Sequence, residues 1–245
     1  MKILPRPDDE YRTQEEWVNF FNKDKKRMVS MPDLFQLVKE DNTETIESLR
    51  KDFKDSWLVT STRIIYDKDN LSAKIIHNAN STVTKPTEIT LKEIPVCRPT
   101  YLKDLIDTEA GLSYIRALIN NKATKEQITD FFVKLSGKKE KNIRFWTPSQ
   151  SSRKDKQVRS VVLYFVGFDR FYGGGDFWFD DNDGFSRGVI VNSAKQTKFF
   201  SNKAIFDIEE ETITIPLTKK LRREIEKKQS KGKVKIDWKL DVKLK

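Results

Sequence analysis

Residues 160–168, SVVLYFVGF, follow a polar stretch and are apolar almost throughout, which reads as a central strand buried on both faces. A strand of that kind needs partners at both edges and a second layer over the sheet it belongs to. The rest of the chain supplies both. Thr13 and Glu16 form a capping-box pattern ahead of Trp17, Phe20 and Phe21, which fall on one helical face. Pro32 stands near a helix start, with Leu34, Leu37 and Val38 at helical spacing. After Asn42 and Thr43, the positions Ile46, Leu49 and Phe53 continue the same periodicity. Two further helices are expected at 109–121, through Leu112, Ile115, Leu118 and Ile119, and at 125–136. The second opens on Thr124 and Gln127 as a capping box, buries Ile128, Phe131, Phe132 and Leu135, and stops at Gly137.

The strands follow a period of two. WLVTSTRIIY (57–66) and LSAKIIH (71–77) are separated by DKDN, a hairpin signal, and TEITLKEI (87–94) alternates. IRFWT (143–147) precedes the polar loop TPSQSSRKDKQ. DFWFD and FSRGVIV flank Asp181-Asn182-Asp183-Gly184, which predicts a second hairpin. ETITIP (211–216) is a short strand. Residues 219–230 make a helix whose apolar positions are only Leu221 and Ile225. The last twelve residues, VKIDWKLDVKLK, alternate without a fault. The expected class is therefore α+β: N-terminal helices packed on a mainly antiparallel sheet, with a basic helix and an edge strand at the C-terminus. Residues 1–245 are expected to form a single domain, and any subdivision falls near 95–108, giving 1–100 and 101–245.

Charge bounds the function. The chain carries a net charge of +10, and two segments hold more than all of it. Residues 218–245 have twelve Lys or Arg against four Asp or Glu, and residues 138–159 have eight against two. The remainder is slightly acidic. A neutral-to-acidic body with two concentrated basic patches suits an anionic partner. The candidate phosphate contacts are Arg144, Arg153, Lys154, Lys156 and Arg159 in the first segment, with Lys219, Lys220, Arg222, Arg223 and Lys227 in the second. Trp146, set among Arg144 and the hydroxyls of the following loop, is a candidate stacking residue. The leading expectation is a non-enzymatic nucleic-acid-binding protein contacting DNA, RNA or another polyanion. An assembly protein docking an acidic partner fits the same charge.

An enzyme is the third class. Asp176, Asp180, Asp181 and Asp183 lie close enough in sequence to hold a divalent cation for a phosphodiesterase, although the spacing fails the EF-hand pattern and suits a turn. Asp237-x-Lys239 and Asp241-x-Lys243 follow from strict strand alternation. Glu209-x-Glu211 before TITIP is similar over fewer than ten residues to the Glu-x-Glu strand of ADP-ribosyltransferases. The Arg and Ser/Thr strands that such catalysis needs upstream have no counterpart in the right order. The nine aromatics between Tyr164 and Phe185, with Gly173-Gly174-Gly175 among them, could form a ligand platform. Strand alternation instead sends half of those rings into the core and leaves the glycines as loop.

A single cysteine, Cys97, excludes an intramolecular disulfide framework, and a single histidine, His77, removes most metal and nucleophile chemistry. His77 is expected to be a structural, hydrogen-bonded residue. No cofactor or metal is expected. The N-terminus has no apolar core of signal-peptide length and no run approaches membrane-spanning length, so a cytoplasmic protein without a membrane partner is expected.

Overall fold

The computed structural model describes residues 1–67, 72–95, 100–147, 156–167, 169–178, 180 and 184–190, the side chains of 176–178 excepted. All described elements belong to one compact unit, Met1–Phe199. Arg153, Lys154, Cys97, Asp181, Asp183, Glu209, Glu211, the strand at 211–216 and the whole basic segment 218–245, with its helix and final strand, lie outside the described residues.

The chain is an α+β protein in which the helices cover a mostly antiparallel sheet. The helices are α1 (Gln14–Lys23), α2 (Met31–Lys39), α3 (Thr43–Asp55), α4 (Leu102–Asp107), α5 (Glu109–Ile119) and α6 (Lys125–Ser136). Their ends are set by local chemistry. Thr13 and Glu16 close a reciprocal capping box on α1, Thr124 and Gln127 do the same on α6, and Asn120 and Gly137 end α5 and α6 in the left-handed region.

The large sheet is built from β3 (Trp57–Tyr66), β4 (Ala73–His77), β5 (Thr87–Leu91), β6 (Thr100–Tyr101), β7 (Ile143–Trp146), β8 (Gln157–Val166) and β9 (Arg170–Trp178). Their spatial order is β5-β4-β3-β8-β9-β7-β6, and β10 (Gly184–Phe185) pairs in parallel with the start of β3. The strand expected at the centre is there: β8 lies between β3 and β9, with Val161, Val162 and Leu163 fully buried. The sheet draws strands from both sides of residues 95–108. A small sheet, β1 (Lys2–Ile3), β11 (Gly188–Ile190) and β2 (Arg27–Met28), has β11 in the middle.

On the helical side, Phe53 of α3 meets Phe165 and Phe171, and Phe132 of α6 meets Phe145 with ring centroids 4.8 Å apart. The glycines of 173–175 are not loop but the middle of β9, because rings need the space where side chains would stand. A Cβ on Gly173 would fall 2.7 Å from Phe145 Cζ. One on Gly175 would fall 2.9 Å from Ile64 Cδ1 and 3.0 Å from the Tyr66 hydroxyl. Tyr66 donates its hydroxyl to the Gly175 carbonyl at 2.7 Å and shares a second hydrogen bond with Tyr114.

The expected hairpin between DFWFD and FSRGVIV does not form. Phe177 and Trp178 of β9 pair with Ser160 and Arg159 of β8, while the strands after the turn pair elsewhere, β10 with β3 and β11 with β1 and β2. A turn sequence permits a hairpin only where the flanking strands have free edges for each other.

Between Val59 and Arg63, β3 slips register against β8, leaving Thr60, Ser61 and Thr62 opposite one residue. The carbonyls freed by this bulge are buried and need donors. Gln14, fully buried on α1, donates its amide to the Thr60 and Thr62 carbonyls at 2.7 and 3.1 Å and accepts from Arg63 Nε at 2.8 Å. One glutamine thus completes the bulge and fixes α1 on the sheet.

Candidate nucleic-acid interface

β7 reads Ile143-Arg144-Phe145-Trp146. Ile143 and Phe145 are buried towards the helices, which sends Arg144 and Trp146 to the opposite face, where both are half-buried. The register then fixes what stands beside them. Tyr101 on β6 pairs with Arg144, Arg144 with Tyr172 on β9, and Tyr172 with Tyr164 on β8. Leu58 pairs with Leu163, so Trp57 on β3 falls next to Tyr164.

The outcome is a row of rings across the sheet. Trp146 stacks on Tyr172 at 6.2 Å and 29°, Tyr172 stacks on Tyr164 at 5.6 Å and 20°, and Trp57 lies tilted against Tyr164 at 5.8 Å. Tyr172 is buried within the row at 4 % exposure, whereas Trp57, Tyr164 and Trp146 are half-buried. At the far end the Arg144 guanidinium lies 4.4 Å above the ring of Tyr101, itself 41 % exposed, and donates through Nη2 to its hydroxyl at 2.7 Å. Lys139, Lys141 and Lys156, from the same basic segment, are exposed.

Arg159 corrects an expectation. It is 3 % exposed, paired through Nη2 with Gln157 Oε1 at 2.7 Å and through Nη1 with the Val158 carbonyl, so its guanidinium is not at the surface. It falls on the helical face of β8, next to Ile64. The sequence signal, a charge in a basic run, did not reveal which face that residue takes.

Elsewhere the described residues offer less. An open cleft of about 510 Å³ between α4 and α6 is lined by Lys103, Asp107, Lys125, Glu126, Asp130 and Glu140. Acids outnumber lysines there, and Lys125 is already paired with Asp107 at 2.8 Å, so it is no phosphate site. Among the described residues no group of three or more His, Cys, Asp and Glu could hold a metal ion, and no helix is long and apolar enough to cross a membrane.

His77 closes β4 inside the fold, at 1 % exposure. The Ala117 carbonyl 2.9 Å from Nε2 can only accept, which assigns the proton to Nε2 and leaves Nδ1 to accept from the Thr62 hydroxyl at 3.1 Å. The Thr62 oxygen in turn accepts from the Met31 N–H at 3.0 Å. Desolvation holds the ring's pKa down to about 4, against a smaller opposing effect of the Ala117 carbonyl. Because the folded value lies below the ordinary 6.5, the unfolded chain binds a proton that the folded chain refuses between these values. The stability that neutral His77 provides is therefore complete above pH 6.5 and is lost as pH falls towards 4, by about 3 kcal/mol at most. Urea unfolding at pH 7 and pH 5 should show this loss, and a His77→Gln chain should show a much smaller one. Equal losses in both chains would contradict the assignment.

No protein-family model, curated protein or solved structure matches the chain, so its function has to be argued from these residues.

Proposed function

We propose that the protein binds nucleic acid without catalysing a reaction on it. The observation that carries the reading is that Arg144 and Trp146 leave one strand on the same face, a fixed cation beside a ring in a surface belonging to a chain of net charge +10. Arg144, Lys139, Lys141 and Lys156, with Arg153, Lys154, Lys219, Lys220, Arg222, Arg223 and Lys227 of the basic segments, would neutralise phosphates. Trp146 would stack. Arg159, being buried, is not among these contacts.

Binding driven by phosphate neutralisation releases counterions, so affinity must fall steeply with salt. If some five phosphates are engaged, the slope of log affinity against log salt is expected near about −3 to −4 for single strands. Fluorescence anisotropy of the full chain with labelled DNA and RNA across a salt series measures it, and Arg222→Ala/Arg223→Ala should make the slope shallower by about one unit. No binding at low salt, or binding indifferent to salt, would refute the reading.

A further inference from the structure

We infer that the aromatic row, on the sheet face opposite α3 and α6, takes a single strand of nucleic acid, with unpaired bases stacked on Trp146 and Tyr101 at one end of the row and on Trp57 at the other. This deepens the proposed function and rests on it. Four strands contribute in register, so the row is a property of the sheet rather than of one loop: Trp57, Tyr164, Tyr172 and Trp146 come from β3, β8, β9 and β7. Tyr172, buried between its neighbours, is a spacer that holds the planes of Trp146 and Tyr164 within 29° and 20° of its own. The row crosses three strand spacings, about 14 Å, enough for roughly two or three bases in the manner open sheets use.

The occupant follows from chemistry. Ring faces interact with other π faces, and in a duplex those faces are already covered by neighbouring base pairs. An acidic peptide would satisfy the charge but presents an aromatic face only where it carries an aromatic side chain, whereas a nucleic-acid strand presents one at every nucleotide. Only an unpaired strand offers phosphates for Arg144 and exposed base faces for the row. Trp146 Nε1 and Arg144 Nε, on one face of one strand, have no hydrogen-bond acceptor among the described residues. An outward turn of either side chain to meet a phosphate, sugar or base oxygen would satisfy its donor.

The test uses the full chain and four probes of equal length: single-stranded DNA, single-stranded RNA, duplex DNA, and an abasic DNA strand with the same phosphates and no bases. At least one normal single strand is expected to bind about tenfold or more tighter than the abasic strand and the duplex. Trp146→Leu, Trp57→Leu and Tyr101→Ala should each weaken single-strand binding about 5- to 100-fold and leave abasic binding unchanged. Arg144→Ala should weaken both. Tyr101 is exposed enough that its loss opens no core, and thermal unfolding of every variant separates misfolding from lost contacts. Ultraviolet crosslinking of the unmodified chain should place the nucleotide on peptides containing Trp57, Tyr101 or Trp146. If abasic and duplex probes bind as tightly as single strands, or if crosslinks avoid those peptides, the inference fails while nucleic-acid binding stands. If no probe binds at low salt, both fail.

Discussion

Asp33→Ala should destabilise the protein by about 3–5 kcal/mol, a large part of what holds a domain of this size together. Arg27 and Asp33 are 8 % and 5 % exposed, and both guanidinium Nη atoms reach the carboxylate. Asp33 also accepts from the Ser30 N–H at 2.8 Å and the Ser30 hydroxyl at 2.6 Å, so one side chain ends β2 and starts α2. Removing it leaves a buried charge whose remaining hydrogen bond is to Asn78 Oδ1 at 3.0 Å, and removes the Asp33 half of the capping box on α2. Asp33→Asn keeps an acceptor and should cost less. A double change, Arg27→Met with Asp33→Leu, should recover much of the loss, because the expense lies in stranding one ion rather than in lacking the pair. Urea titration gives all three values. A loss below about 1 kcal/mol for Asp33→Ala would mean that the guanidinium is not confined as the structure places it.

Gly173→Val is expected to be as damaging, at about 3 kcal/mol or more, through overpacking. The new Cβ would lie 2.7 Å from Phe145 Cζ and closer still to Cε1. Phe145 cannot yield, being 1 % exposed and held edge-on by Phe132. Shortening the obstacle should rescue the strand, so Gly173→Ala combined with Phe145→Leu should be more stable than Gly173→Ala alone. Thermal unfolding decides it, and additive losses in the pair would exclude a direct clash.

These two sites mark what could be read in the sequence. The strand 57–66 and the helix 125–136 have the bounds their patterns announce, because β-branched runs, Thr124, Gln127 and Gly137 act over a few residues. The short helix α4 has no signature in the sequence. Its six residues are too few for periodicity, and Tyr101 makes no side-chain cap. Gly173-Gly174-Gly175 reads as loop in the sequence because the rings that require Gly173 and Gly175, namely Phe145, Tyr66 and Tyr114, come from distant strands and a helix. The candidate site divides in the same way. Arg144 and Trp146 share a face by period two alone, which the sequence shows. Tyr101, Tyr164, Tyr172 and Trp57 join them only through register, and Arg159 leaves the set for the same reason.

The central position of β11 governs when the fold can be completed. As a nascent chain leaves the ribosome N-terminus first, β1 and β2 are made well before the strand that joins them, Gly188–Ile190. Until that segment emerges, Trp17 lacks the Gly184 carbonyl that its indole N–H donates to at 2.9 Å, and Asp52 lacks Arg187. β1 and β2 are thus secured only once Gly188–Ile190 has been made, and until then the growing polypeptide carries unfinished strand edges that a chaperone would find available.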